Sequence, residues 1–554
     1  MDFKEEIAKA INKIVKNAEL EVPSNPELGD YALPCFPLAK ELKKNPVEIA
    51  KDLAKKIPKI KGIEKIVPTG PYVNFFVEKT YFAKDTLDKI QKEKNNYGKQ
   101  KLSSEKVMIE FSQANTHKAF HVGHIRGTSL GESIARIMEF CGNKVIRANY
   151  QGDIGMHVAK WIWCYKRYHS KEKLRKDESW IASIYVDAVK KLTEKPELQD
   201  EVDEINRKLE ERDKGLYKLW QDTRKGSLDS FEIIYKELNT KFDEYFFESQ
   251  LDKRAKDIVN KLVKGRIAEI SDGATIINFE KYNMGVWVLL RADGTVLYSA
   301  KDLALAEKKF KEHKIDKAVY VVGSEQRLHV MQIFKTLELM RFKQAKNCHY
   351  VPVNEVRLPE GKMSSRTGTN ILYSDFKKEM VEYASEKILE RNKKIDKKEL
   401  SKRALAIAIA SLKYSMLKQD TNKGIIFNKE ESLRFEGDTG PYLLYSYARA
   451  KSILKKAKYN AKKKYDLSIE PVEKELIMEL SRFPEVIVQA YNNISPNEIA
   501  NYSSKLAQKF NEFYHAEKVI GSDKEQFRLV LVDSFSQVLK NCLYLLGIPV
   551  IEEM

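Results

Sequence analysis

The sequence predicts an α/β fold, a doubly wound parallel sheet, with a small α+β module ahead of it and an all-helical module behind it. Three observations predict this. Val107–Phe111 is a β run, an apolar set at helical spacing follows (Leu130, Ile134, Ile137, Met138, Cys141), and Lys144–Tyr150 is a second β run. Strand, helix and strand within about 45 residues form the βαβ unit of a parallel sheet. Apolar residues recur every 3.6 positions through Ala404–Leu417, Pro441–Ala457 and Glu525–Leu546, so the chain from residue 401 onward reads as helix. The front of the chain mixes helix and strand signals and is separated from the first β run by a polar stretch.

Taken in order, residues 1–95 form the first module. Asn45-Pro46-Val47-Glu48-Ile49 starts a helix with Pro in its first turn and Ile49, Leu53 and Ile57 on one face, and Tyr72–Val77 reads as a strand. Lys92–Ser104, with Asn-Asn, Gly and many lysines, reads as a linker. The α/β region spans residues 100–400. Within it, residues 165–265 are highly charged, helical in pattern and poor in Pro and Gly, as expected of a helical insertion between two halves of the sheet. Strand-like segments return at Ala274–Phe279, Val286–Leu290 and Lys317–Val322. Residues 401–554 form the helical module, and no internal repeat or low-complexity segment is present.

Composition narrows the function classes. The 554 residues carry 98 Lys+Arg and 80 Asp+Glu, and 98 − 80 gives a net charge of +18. At about 150 residues per domain, that length holds three or four domains. A hydrophobic content of 43% excludes a disordered polymer, and the basic balance points to a polyanionic partner, nucleic acid before membrane. Charged residues interrupt every apolar run well before the roughly 18 apolar residues a membrane span needs. The start is an amphipathic helix pattern with early acidic residues and not a basic, then apolar leader, so a cytoplasmic protein is expected. Cys35, Cys141, Cys164, Cys348 and Cys542 are scattered and form no CxxC, which points to reduced thiols and no structural zinc.

The strongest local signal lies between the first strand and its helix: Ser112-Gln-Ala-Asn115-Thr-His117-Lys118-Ala-Phe120-His121-Val-Gly123-His124. Ligands of doubly wound sheets bind at the C-terminal ends of strands and at helix N-termini. Two imidazoles three residues apart can share one side of a first helical turn and donate to a phosphate whose charge grows during displacement. Gly123 lets a nucleotide approach the backbone. His117, His121 and His124 also have spacings that a metal could use, but such a site needs a further ligand.

These residues also carry a family resemblance. His121-Val122-Gly123-His124 resembles the HIGH motif of class I aminoacyl-tRNA synthetases, and Lys362-Met363-Ser364-Ser365-Arg366 resembles their KMSKS motif, in the expected order. The match is closest to the arginyl-tRNA synthetase family, through Glu110–Arg126, Val145–Gly155, Val288–Ala304 and Val321–His329. Gly29–Ala32 and Gly70–Phe75 resemble that family's N-terminal domain, and Thr439–Ala450 its helical anticodon-binding domain. The resemblance is thinnest across the insertion. It implies a Rossmann-like class I catalytic domain and an arginine–tRNA ligase. Arginine attacks ATP to give arginyl-adenylate and pyrophosphate, and the arginyl group then passes to the 3′ end of tRNA(Arg), with bound tRNA required for the first step.

The resemblance also assigns residues. Lys118, His121, Gly123, His124, Lys362, Met363 and Ser364 carry the chemistry; Glu110, Asn115, Tyr298, Asp302 and Gln326 hold arginine; Phe120 and His329 join the ATP contacts; and Asn74, Phe75, Tyr447 and Arg449 touch tRNA. Mg²⁺ enters with ATP, no ion is held by the protein alone, and a monomer is expected. An arginine pocket makes chemical sense of these types, because a guanidinium needs carboxylates placed for paired bonds. Tyr298 and Asp302, four apart, share a helix face. The plain alternatives are a core aromatic for Tyr298, a helix cap for Asp302 and a solvated loop residue for Lys118. Where KMSKS has a second lysine this chain has Ser365, and Lys118 or Arg366 would supply the missing charge. Rival readings are another class I synthetase, a non-catalytic tRNA-binding paralogue, and a free-standing nucleotidyltransferase.

Overall fold

A computed structural model of the chain describes residues 3–16, 19–23, 25–357, 359, 372–461, 465 and 467–553. The second motif, with Lys362, Met363 and Ser364, lies outside the described residues.

The N-terminal part runs α1 (Phe3–Asn12), β1 (Tyr31–Pro34), α2 (Phe36–Leu42), α3 (Pro46–Lys56), β2 (Ile63–Thr69), β3 (Tyr72–Val77) and α4 (Lys79–Glu93). Asn45 caps α3 by accepting from the Val47 N–H, with Pro46 at the first helical position, as the sequence predicts. The strands form an antiparallel sheet in the order β1-β3-β2. The central strand is covered, so Val73, Phe75 and Val77 join Phe3, Ile7, Ile49 and Leu53 in one core.

The α/β part begins with β4 (Lys106–Glu110), α5 (Val122–Phe140), β5 (Lys144–Gln151) and α6 (Met156–Cys164). It continues through α7 (Glu178–Glu194), α8 (Gln199–Glu210), α9 (Lys214–Glu237), β6 (Glu244–Phe247) and α10 (Asp252–Lys264). Then come β7 (Glu269–Ser271), β8 (Ala274–Asn278), β9 (Val286–Leu290), α11 (Tyr298–His313), β10 (Lys317–Gly323), α12 (Arg327–Leu339), β11 (Cys348–Val353) and β12 (Val356–Arg357). Five strands form one parallel sheet in the order β11-β10-β4-β5-β6. The order reverses between β4 and β10, the switch point where such sheets bind ligands.

Two sequence expectations change here. The charged stretch 165–265 is helical in α7–α10 but also contributes the edge strand β6, whose Tyr245, Phe246 and Phe247 are too short a run to stand out against the helices. Residues 274–278 and 286–290 are strands, but they pair antiparallel with each other, and 274–278 also with β7, in a separate sheet, β7-β8-β9. A connection this short permits only a hairpin.

The helical part comprises α13 (Tyr373–Arg391), α14 (Lys397–Leu417), β13 (Ile425–Ile426, paired with β12), α15 (Lys429–Ser432), α16 (Gly440–Lys456), α17 (Pro471–Ser481), α18 (Phe483–Asn493), α19 (Asn497–Ala516) and α20 (Glu525–Leu545). The chain divides into two compact units. One joins residues up to Tyr97 to Ala450–Arg482 and Gln508–Val538, and the other holds Gly98–Arg449, Phe483–Ala507 and Leu539–Met554. Within the first unit the stretch read as a linker is ordered at its start: Tyr97 is buried and its hydroxyl donates to the Leu480 carbonyl at 3.2 Å.

Candidate active site

The loop leaving β4 crosses the switch point and becomes α5. Its two histidines fold back on the helix they start. His121 is the N-cap, and its Nδ1 accepts from the Gly123 N–H at 3.1 Å; His124 Nδ1 accepts from the His121 N–H at 3.2 Å. This is a capping box built from imidazoles, with ring centroids 4.0 Å apart. A side chain at Gly123 would crowd the His121 ring at 3.0 Å. Since each Nδ1 accepts, each proton sits on Nε2, and both rings are donors at that atom. Burial, reinforced by Lys118, pushes the His121 pKa down to about 4; burial, His121 and Lys118 push His124 well below its ordinary value. Both imidazoles are therefore neutral donors. Lys118 is half-buried over the Tyr185 ring, and its pKa is lowered by burial and by Lys160 on α6.

A contrasting set gathers at the same ends of the neighbouring elements. Tyr298, the first residue of α11, is 57% exposed, and Asp302 lies one turn on. Asp302 Oδ2 accepts from His329 Nε2 at 2.8 Å, while His329 Nδ1 accepts from the Trp287 indole N–H at 3.3 Å. Because the indole can only donate, the His329 proton is fixed on Nε2. Burial, with Asp302 and Glu248 nearby, pushes the Tyr150 hydroxyl pKa well up. Among the described residues, no lysine or arginine stands within ion-pair distance of Asp302. Glu110 differs: Lys309, itself 2% exposed, pairs with its Oε2. Asn115 packs where a side chain at position 152 would collide with its amide oxygen, so Gly152 makes room for it.

Comparison with known proteins decides the family. A family model described as "tRNA synthetases class I (R), catalytic domain" matches residues 86–429. The chain is 40% identical over 566 residues to an arginine–tRNA ligase of Clostridium acetobutylicum, covering 100% of both chains. The chain belongs to the arginyl-tRNA synthetase family. The family's N-terminal domain matches residues 1–77, and a DALR anticodon binding domain matches 443–554. A Clostridium perfringens arginine–tRNA ligase is 37% identical, again over 100% of both chains. The Thermus thermophilus arginyl-tRNA synthetase structure superimposes with a TM-score of 0.82 at 26% identity, covering 100% of this chain and 99% of that one. The Plasmodium falciparum enzyme superimposes at 0.80 with 23% identity, which bears on the fold alone.

Several expectations for this arginyl-tRNA synthetase family member need correction. Phe120 is fully buried against His124, Phe231, Tyr235 and Tyr373, so its ring supports the loop and is not an ATP contact. His329 has both ring nitrogens committed to Asp302 and Trp287, so it steadies a carboxylate and does not offer a nitrogen to ATP. Asn74 and Phe75 lie on a central strand and are 3% and 0% exposed, so neither faces a tRNA; Phe76 is the half-buried residue there. Tyr447 is 3% exposed inside α16. Arg449 remains half-buried, with its guanidinium 4.7 Å above the Tyr445 ring. Tyr298 is not a core aromatic, and Asp302, at the fifth residue of α11, is not its cap. Gln326 is exposed at the start of α12. His117 is fully buried between Thr116 and Thr223 and its pKa falls to about 3, chiefly through burial, so it does not join His121 and His124 as a metal set.

Residues that sequence reading missed are Tyr150, Trp287, Lys309, Arg126 and Glu178. Each acts through a partner far away in the chain, and no local pattern marks them. Arg126 is fully buried and donates to the carbonyls of Asn354, Asp420 and Lys423, tying α5 to the strand pair β12–β13.

Proposed function

We propose that the chain is an arginine–tRNA ligase, activating L-arginine with ATP and transferring it to the 3′ end of tRNA(Arg). The observation that carries this reading is Asp302, a carboxylate that accepts from His329 Nε2 and has, among the described residues, no lysine or arginine within ion-pair distance. A guanidinium supplies the missing charge and is never deprotonated. Tyr298 covers the guanidinium plane, and Asn115 and the remaining oxygen of Glu110 receive the α-amino end.

The arginine carboxylate then attacks the ATP α-phosphate in line. A carboxylate needs no base to become a nucleophile, so positioning and charge stabilisation supply the acceleration. His121 and His124 donate from Nε2 to phosphate oxygens, and Lys118 adds positive charge from the same loop. Lys362, Met363 and Ser364 complete the phosphate side in this reading. ATP enters as its Mg²⁺ complex, and no zinc is held by the protein. Arg449 with Tyr445 offers the helical part's contact with the anticodon loop. The reading includes the division 1–95, 100–400 and 401–554, a monomer, and work in the cytoplasm.

Arginine-dependent ATP–pyrophosphate exchange tests it, measured with each of the twenty amino acids with and without tRNA. Exchange with arginine only, and only when tRNA is present, is expected. Exchange with another amino acid, or none at all, overturns the reading.

A further inference from the structure

We propose that Glu178 is a positioning residue for ATP activation, its carboxylate locking the first motif loop to the chain that leaves the second motif. Glu178 opens α7, 58 residues from Phe120 and 196 from Ser374, and Asp177 already caps that helix through the Trp180 N–H. The Glu178 side chain is therefore released to act elsewhere. It is buried, and it accepts from two backbone amides: Phe120 N–H at 2.9 Å and Ser374 N–H at 3.3 Å.

Both amides matter by position. Phe120 immediately precedes His121, the cap of α5. Ser374 lies in the first turn of α13, whose own N-cap, Leu372, has no side-chain acceptor to offer. An early helical N–H has no intrahelical partner, so Glu178 serves α13 as a cap supplied by a distant helix. The two segments also join directly: His121 bridges Leu372 in antiparallel fashion, and the Tyr373 N–H donates to the Phe120 carbonyl at 2.9 Å. One carboxylate thus spans the join, with one oxygen on each strand.

The chemistry is costly for a mere brace. Among the described residues, no lysine or arginine lies within ion-pair distance of Glu178, and burial, with Asp375 nearby, pushes its pKa up to about 7. A buried carboxylate without a counter-charge carries a desolvation cost. What the carboxylate alone supplies is two acceptors at a fixed spacing. Glutamine has one acceptor and one donor, so it would place an N–H against an N–H.

The inference rests on His121 and His124 as ATP-phosphate contacts. It is tested in the full chain with Glu178→Gln. The KM for ATP should rise about tenfold with the KM for arginine within about twofold, since a small misplacement of the donors weakens phosphate contacts first. Glu237→Gln is the comparison: it weakens the hold of α9 on Tyr373 and Lys377, leaves both Glu178 bonds in place, and should leave the ATP KM near wild type. An unchanged ATP KM in Glu178→Gln, equal rises in both variants, or a joint rise of both KM values with a fall in Tm would each overturn the proposal. Hydrogen exchange of the wild-type chain keeps the proposal falsifiable if Glu178→Gln does not fold or wild-type exchange activity is absent. The Phe120 and Ser374 amides should exchange slowly, and free exchange at either overturns the brace whatever the enzyme's activity.

Discussion

The two sides of the switch point handle charge in opposite ways. On the side proposed for the ATP phosphates, the protein offers two neutral imidazoles and a lysine whose charge burial disfavours. On the side proposed for arginine, Asp302 has no lysine or arginine within ion-pair distance among the described residues, while Glu110 pairs with Lys309. The difference teaches how each ligand is selected. In the proposed function, the direction of hydrogen bonds reads the phosphates, whereas an unbalanced charge reads the guanidinium. A neutral donor costs less to bury than a charged one and can sit ready before ATP arrives, whereas a charge-deficient pocket is filled well only by a cation.

The sharpest way to break that contrast is Asp302→Asn, which keeps shape and removes charge. Activation measured as kcat/KM for arginine should fall about 1,000-fold, as when a charge-assisted bidentate contact is lost, with the ATP KM little changed. A fall below tenfold would mean that charge is not what selects arginine.

The neutrality of the histidines gives the next test. His121 has a folded pKa of about 4 against an ordinary 6.5, so the unfolded chain binds the extra proton between those values. Its stabilising contribution is full above pH 6.5 and is lost as pH falls toward 4, an effect of about 3 kcal/mol for this residue alone. His117 and His157, each about 3, act in the same direction at lower pH. Thermal unfolding across pH 4–8 should show Tm falling below pH 6.5, and His121→Asn should flatten part of that fall. An unchanged slope would show His121 to be charged in the fold.

His121→Ala and His124→Ala should each lower kcat for exchange about 100-fold, as for loss of one preorganised donor, while Tm moves by the smaller cost of a lost cap. Equal losses from His121→Lys and His121→Ala would show that direction, not charge, is the operative property.

The RNA contacts sit at the small end. Arg449→Ala should weaken tRNA binding about threefold, whereas Phe75→Leu should leave tRNA affinity unchanged and destabilise the chain by about 1 kcal/mol. Filter binding and thermal unfolding separate the two. A tRNA defect in Phe75→Leu would contradict its burial.

Sequence reading succeeds where a signal is local and stops where its meaning depends on distant partners. The β4–α5–β5 unit and its loop were legible because strand period, helix period and motif lie within one short stretch. The capping role of His121 and His124 was half-legible: the three-residue spacing placed both rings on one turn, but nothing local showed which nitrogen faced the backbone. Phe75 and Tyr447 were misread because an aromatic at regular spacing looks the same in a core as on a binding face. Glu178, Lys309 and Trp287 were invisible because each gains its meaning from a partner that only tertiary folding brings near. The β7-β8-β9 sheet was misplaced for the same reason, since period identifies a strand but not its neighbour.

The imidazole cap of α5 has one more consequence. Arginyl-adenylate is a mixed anhydride, and an imidazole with an available lone pair would attack its acyl carbon and become acylated. Here each Nδ1 lone pair is held by a backbone N–H, and each Nε2 bears a proton. The helix start therefore makes two ordinarily nucleophilic rings unreactive toward the enzyme's own product, and leaves the tRNA hydroxyl as the group that takes the arginine.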